Sequence, residues 1–193
     1  GAVIAKYGFE FEEDITSSVP RVAYALNYGG WLKDDVDLYE RIYRETDSNC
    51  SEEEFKLERE AVKKLFFRAY FDSTDNKLAY HTWDSMIQDG ADKEAVYDDM
   101  KNLRRAMETV LGETRHDNFI FYVESCIYID TLYMLLAKGY KVWLVYDCFY
   151  GSGVGSEEEF KRLVQDAVWI SFVRFKFAYD FDDWESIFKE KNE

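Results

Sequence analysis

The segment Tyr140-Lys-Val-Trp-Leu-Val-Tyr-Asp147 constrains the fold most. β-branched and aromatic residues crowd it, so it reads as a strand running to an aspartate. Cys148 to Tyr150 reads as its continuation beyond a tight turn, and Gly151 to Gly155 as a flexible loop. Asn118 to Ala137, just before it, is strongly apolar and reads as a helix ended by Gly139, although its aromatic start also suits a strand. Glu157 to Ser171, just after, reads as a helix capped by Ser156, and Val173 to Phe181 as a closing strand. Strands and helices that alternate in this way, joined by hairpins, make α+β the expected class.

The N-terminal half adds to this order. Residues 2 to 13 read as one or two strands, with Tyr7, Phe9 and Phe11 alternating at period two. Asp14 closes that strand, and Asp14, Thr16, Ser17 and Ser18 are candidate caps for a helix from about Arg21 to Asn27. Pro20 suits a first helical position, and Tyr28-Gly-Gly30 ends the helix. Asp34-Asp-Val-Asp37-Leu-Tyr-Glu-Arg-Ile-Tyr43 reads as the start of a short helix with acids in its first turn. Ser51-Glu-Glu-Glu54 has the capping-box pattern and opens a long helix. Asp72 to Asn76 reads as a turn, and residues 93 to 111 as a helix with Val96, Met100, Leu103, Met107 and Val110 on one face. No internal repeat or low-complexity linker interrupts the chain, which reads as a single domain.

At 193 residues and 47% hydrophobic, the chain can bury a substantial core. Its formal net charge of -15 excludes nucleic-acid binding by an overall basic surface, because phosphate neutralisation supplies most such affinity. Any nucleic-acid contact has to be local, assisted by metal ions, or supplied by a missing part. The three cysteines, Cys50, Cys126 and Cys148, are widely spaced, and His81 lies far from His116. That argues against a zinc site and for free thiols in a reducing, cytoplasmic setting. No signal peptide is evident, and Gly1 reads as a cleavage scar or the cut edge of a longer chain. The longest apolar runs, Phe119 to Ala137 and Tyr140 to Tyr150, are broken by Glu124, Asp130, Lys141 and Asp147, so no membrane span is expected.

Arg59, Lys63 and Phe67 fall four residues apart on the long helix and form one stripe, which Tyr70 and Phe71 extend. Two cations at one end and aromatics at the other suit a ligand with an anionic end and a flat end, as in a nucleoside triphosphate. The plainer reading is an amphipathic helix whose cations snorkel and pair with Glu58 or Glu60. Asp14 and Asp147 each close a strand. Two carboxylates at neighbouring strand ends can hold two divalent cations about 4 Å apart. Mg²⁺, with Mn²⁺ as a substitute, takes such hard oxygen ligands and completes its shell with water and phosphate. Against this, Asp14 reads equally as a helix cap, Asp147 as an exposed strand end beside the glycine loop, and Glu124 as a helix cap. The acidic group Asp180, Asp182, Asp183 and Glu185 reads as a solvated tail.

These motifs, in this order, resemble the catalytic core of family A polymerases and the related single-subunit phage-type RNA polymerases. Asp14-Ile-Thr-Ser-Ser is similar to motif A, and Asp37-Leu-Tyr-Glu-Arg-Ile to the short helix that follows in the fingers. Arg59-x3-Lys63-x3-Phe67 with Tyr70-Phe71 is similar to motif B. Phe121-Tyr-Val-Glu-Ser125 looks like the start of the palm helix, and Lys141 to Asp147 resembles motif C. The resemblance covers about residues 9 to 175. It implies a palm-like antiparallel sheet, with palm-like parts at 1–30 and 116–193 and a fingers-like part at about 31–115. It implies Asp14 and Asp147 as ligands of two Mg²⁺, with the Ile15 carbonyl as a third ligand. Arg59 and Lys63 would grip the triphosphate, and Lys63 would protonate the leaving pyrophosphate. Phe67 would stack on the incoming nucleotide, and Tyr70 or Phe71 would hold the templating position. The implied partners are a nucleoside triphosphate, a primer-template and other domains of a larger phage or mobile-element replication protein. The sequence departs from the pattern at Tyr146, where histidine is usual, at Val19, where a sugar-screening glutamate is usual, and at Phe71, where glycine is usual. The competing expectation is a noncatalytic acidic module that binds a basic protein or mimics nucleic acid.

Overall fold

The structure is a computed structural model that describes residues 6–32, 36–49, 51–71, 93–112 and 119–178. Among the described residues, six helices and a three-stranded antiparallel sheet place it in the α+β class. The described residues fall into two compact units, one within Gly1–Ser18 and Phe121–Glu193, the other within Val19–Ile120.

The first unit holds the sheet. Strands β1 (Phe11–Asp14), β2 (Lys141–Val145) and β3 (Cys148–Ser152) lie in the order β1-β3-β2, each neighbour antiparallel. Register decides which side chains share a face, because successive residues point to opposite sides. Phe11, Gly151 and Val142 align across the sheet, as do Glu13, Phe149 and Leu144. This face meets two helices, α5 (Phe119–Ala137) and α6 (Glu157–Ala178). Phe11 stacks on Phe160 of α6, Phe149 meets Tyr128 of α5 edge-on, and Gln165 of α6 donates to Glu13 at 2.7 Å. Gly151 is required at its position: a Cβ there would lie 2.1 Å from the Phe160 ring. The opposite face carries Glu12, Asp14, Trp143, Val145, Cys148 and Tyr150, with Trp143 60% exposed.

Three sequence expectations change here. The N-terminal strand starts only at Phe11. Lys6 and Tyr7 are helical, and Gly8 turns the chain at φ 68°. Residues 2 to 5 lie outside the described residues. The expected strand to Asp147 ends at Val145, and Tyr146-Asp147 forms a two-residue hairpin loop with Tyr146 at φ 57°. A positive φ at the first loop position is the geometry that matches strand twist in tight hairpins.

The expected closing strand does not form through Ala178, because α6 continues to that residue. Val173, Phe175 and Phe177 alternate, but the buried residues Phe160, Val164, Ala167, Val168, Ser171, Phe172 and Phe175 follow the helical period, and Phe177 is exposed. Tyr179 to Phe181 lie outside the described residues. Helix α5 is helical from its aromatic start and ends before Gly139, at φ 86°. By length and composition alone it is apolar enough to cross a membrane, a test that a core helix of a soluble protein also meets. One side of it, Val123, Ile127, Tyr128, Thr131 and Leu135, is buried in the protein.

The second unit is helical. It contains the residues of α1 (Ser18–Tyr28) after Ser18, then α2 (Leu38–Thr46), α3 (Glu52–Phe71) and α4 (Lys93–Leu111). Helix α2 starts at the Asp37 cap, whose carboxylate accepts from the Tyr39 amide at 2.9 Å. Helix α3 starts with the expected reciprocal box: the Ser51 hydroxyl accepts from the Glu54 amide at 3.2 Å, and the Glu54 carboxylate accepts from the Ser51 amide at 2.8 Å. Helices α2, α3 and α4 pack together around Leu38, Ile42, Phe66, Met107 and Leu111. Asn27 of α1 donates to the Leu111 carbonyl at 2.6 Å, satisfying a group left open at the end of α4. Arg21, 2% exposed, donates to the Leu32 and Val36 carbonyls and so fixes the chain that leads into α2.

Candidate functional site

β1 brings Asp14 to its last position, and the β2–β3 loop brings Asp147 to the residue before β3. Asp14 is the cross-strand partner of Cys148, and the Ile15 amide donates to the Asp147 carbonyl at 3.1 Å. Asp14 therefore ends β1, and Asp147 lies in the loop that leads into the neighbouring β3, at the same end of the sheet. Asp14 is exposed and Asp147 half-buried. Ile15 is 1% exposed, so its side chain anchors the turn while its amide ties the turn to the hairpin.

The surroundings are strongly negative. Burial, moderated by a hydrogen bond with Tyr150, pushes the Cys148 thiol up to about 11, and the charges of Glu12, Asp14 and Asp147 push in the same direction. The Tyr150 hydroxyl is raised to about 12, first by its hydrogen bond with Cys148, then by burial and by the charges of Cys148, Glu12 and Asp14. Carboxylates that converge on one sheet end favour a cation there.

A third carboxylate belongs to this region. Glu124, half-buried on α5, accepts a hydrogen bond from the Ser18 hydroxyl, which lies 2.6 Å from the Tyr128 hydroxyl. Burial raises the Glu124 pKa, the Ser18 hydrogen bond opposes the rise, and the Asp147 charge adds to it. The sequence reading of Glu124 as a helix cap is thereby corrected, since it is the sixth residue of α5 and bonds outside its own helix. A lone glutamate in an apolar run was the available signal, because a carboxylate there needs a partner.

Its titration has a direct consequence. The folded-state pKa lies above the usual 4.5, so folding favours the protonated form, and the contribution present below 4.5 is lost as pH rises through the raised value. Wild type is therefore expected to lose stability relative to Glu124→Gln between pH 4 and pH 7 in urea unfolding. A difference between the two proteins that stays constant over that range would contradict this.

The stripe on α3 divides in two. Arg59 Nε donates to Asp37 Oδ2 at 2.6 Å, its guanidinium lies 5.7 Å from the centre of the Tyr39 ring, and Glu60 sits at 3.8 Å. Burial acts to lower the Arg59 pKa, but the hydrogen bond and charge of Asp37 raise it. Lys63 and Phe67 are half-buried, and Phe67 meets Phe66 edge-on. Tyr70, 2% exposed, stacks on Phe66 in the core of the helical unit. Phe71 is the last residue of α3, and its side chain lies outside the described residues. The Arg59–Asp37 pair joins positions 22 apart in sequence, which helical spacing cannot show.

Among the described residues, no group of three or more His, Cys, Asp or Glu side chains is placed to hold a metal ion. Two carboxylate side chains of hard-oxygen type nonetheless fit Mg²⁺ when water and phosphate oxygens complete the shell. Cys126 is half-buried and Cys148 buried, both as free thiols. Cys50, the Asp72 to Asn76 turn, His81, His116 and the acidic group from Asp180 to Glu185 lie outside the described residues. No family model, curated protein or solved structure matches the chain.

Proposed function

We propose that this chain is the palm-and-fingers core of a template-directed nucleotidyltransferase of the DNA-polymerase type. It would act in the cytoplasm as part of a phage or mobile-element replication protein. The observation that carries the reading is the position of Asp14 and Asp147 at one end of a sheet ordered β1-β3-β2, Asp14 opposite Cys148 and Ile15 hydrogen-bonded to the Asp147 carbonyl. The element order supports it too: the strand with Asp14 comes first, the helices follow, and a hairpin turning at Asp147 then pairs with that strand.

In this reading Asp14 and Asp147 hold the cations, with the Ile15 carbonyl beside them. Two Mg²⁺ ions held there would supply activation of a primer 3′-hydroxyl and neutralisation of charge on the leaving group. Lys63 grips the triphosphate and supplies a proton to the pyrophosphate. Arg59 Nε donates to Asp37, and the resemblance implies that Arg59 would contact phosphate oxygens. Phe67 stacks on the nucleotide. Tyr70 braces α3 through Phe66, and Phe71 keeps the templating role that the resemblance implies.

The second reading, an acidic module for a basic protein partner, is favoured by one observation: Arg59 is already in a close pair with Asp37. Incorporation of labelled nucleotide onto a primer separates the two. Template-dependent incorporation in Mg²⁺ or Mn²⁺ supports the nucleotidyltransferase. No incorporation on any DNA or RNA primer-template, together with capture of a basic protein, supports the module.

A further inference from the structure

The turn that carries Asp14 into α1 is conformationally demanding. Ser17 sits at φ 54°, a region that residues other than glycine adopt uncommonly, so the surrounding contacts must impose it. Two fastenings flank it. On one side the Ile15 amide donates to the Asp147 carbonyl. On the other, Ser18, 4% exposed, donates its hydroxyl to Glu124 and lies within hydrogen-bond distance of the buried Tyr128 hydroxyl.

Glu124 and Tyr128 are four residues apart on α5 and so share a face. Tyr128 also meets Phe149 of β3 edge-on, two residues beyond Asp147. A single helical face thus contacts both the Asp14 turn and the hairpin strand that follows Asp147. Glu124 makes its hydrogen bond to Ser18.

We infer that Glu124, acting through the Ser18 hydroxyl, is a positioning residue that presets the Asp14 turn against the Asp147 hairpin for a divalent cation. The inference rests on the proposed function only for the cation site that Asp14 and Asp147 share. The physical basis is that a ligand held in place by outer hydrogen bonds needs no reordering when the ion arrives. Gln retains an acceptor for Ser18, whereas Ala does not.

The test uses the full chain and reads free Mn²⁺ by electron paramagnetic resonance, with thermal unfolding in EDTA measured alongside. The variants are Ser18→Ala, Glu124→Ala, Glu124→Gln and Asp147→Asn. Ser18→Ala and Glu124→Ala are expected to weaken Mn²⁺ binding by about tenfold or more, the usual cost of losing an outer partner. Glu124→Gln is expected to stay close to wild type, which a requirement for the charge itself would not allow. Wild-type Mn²⁺ affinity in Ser18→Ala, with any change confined to the unfolding temperature, overturns the inference. So does a Glu124→Gln defect as large as that of Glu124→Ala. If Glu124→Ala does not fold, Ser18→Ala and Glu124→Gln decide between the same outcomes. Unchanged affinity in Asp147→Asn instead removes the proposed function, so the two failures are distinguishable.

Discussion

Asp147→Asn is expected to slow nucleotide incorporation by about a thousandfold, the rate equivalent of the several kcal/mol that a metal-organised transition state supplies. The substitution keeps the side-chain shape and leaves the Asp147 main-chain carbonyl to accept from Ile15. Tyr146, not residue 147, carries the positive φ of the loop, so the hairpin has no reason to rearrange. The loss therefore falls on cation binding rather than on folding. Asp14→Asn is expected to match it. The double variant is expected to be little worse than either single one, because groups that act as a unit are strongly non-additive. Single-turnover primer extension measures all three. A rate within tenfold of wild type for Asp147→Asn would remove this residue from the chemistry.

Gly151→Ala is expected to lower stability substantially. Its methyl group would lie 2.1 Å from Phe160 Cε2, and that ring is fully buried against Phe11. Overpacking of a tight core costs roughly 1–3 kcal/mol, and a clash this close belongs at about the upper end. Phe160→Ala alone leaves a cavity and costs about 3–5 kcal/mol. The two changes should not add: with the ring gone, the extra methyl group occupies vacated space, so Gly151→Ala in the Phe160→Ala background should cost less than about 1 kcal/mol. Urea unfolding of the four proteins closes this cycle. Additive costs would mean that the strand and α6 are not packed as described.

These two sites differ in how far the sequence announces them. Local rules sufficed where local chemistry governs. The Ser51–Glu54 box forms as its spacing requires, and α4 spans the stretch that its apolar period marks. Asp147 was legible as an acid closing an apolar β-rich run. Its place in a two-residue loop was not, because strand propensity does not say where a hairpin turns. The end of α6 shows a conflict of periods: Val173, Phe175 and Phe177 alternate like a strand, but burial of Ser171, Phe172 and Phe175 follows the helix. Arg59–Asp37 and Ser18–Glu124 join residues distant in sequence, 22 and 106 positions apart, and only the fold brings them together. Gly151 looked like the start of a flexible loop, yet it lies within β3 because Phe160 leaves no room for a side chain.

The central claim is that Asp14 and Asp147 share one cation site. Fe²⁺ in place of Mg²⁺, with ascorbate and peroxide, generates radicals that cut the backbone beside the bound ion, and mass spectrometry maps the cuts. Paired cuts are expected at the β1–α1 turn around Asp14 and at the Tyr146–Asp147 loop, both suppressed by excess Mg²⁺ and both absent in Asp147→Asn. Cuts at only one of the two segments, or cuts there that survive Asp147→Asn, would contradict the shared site.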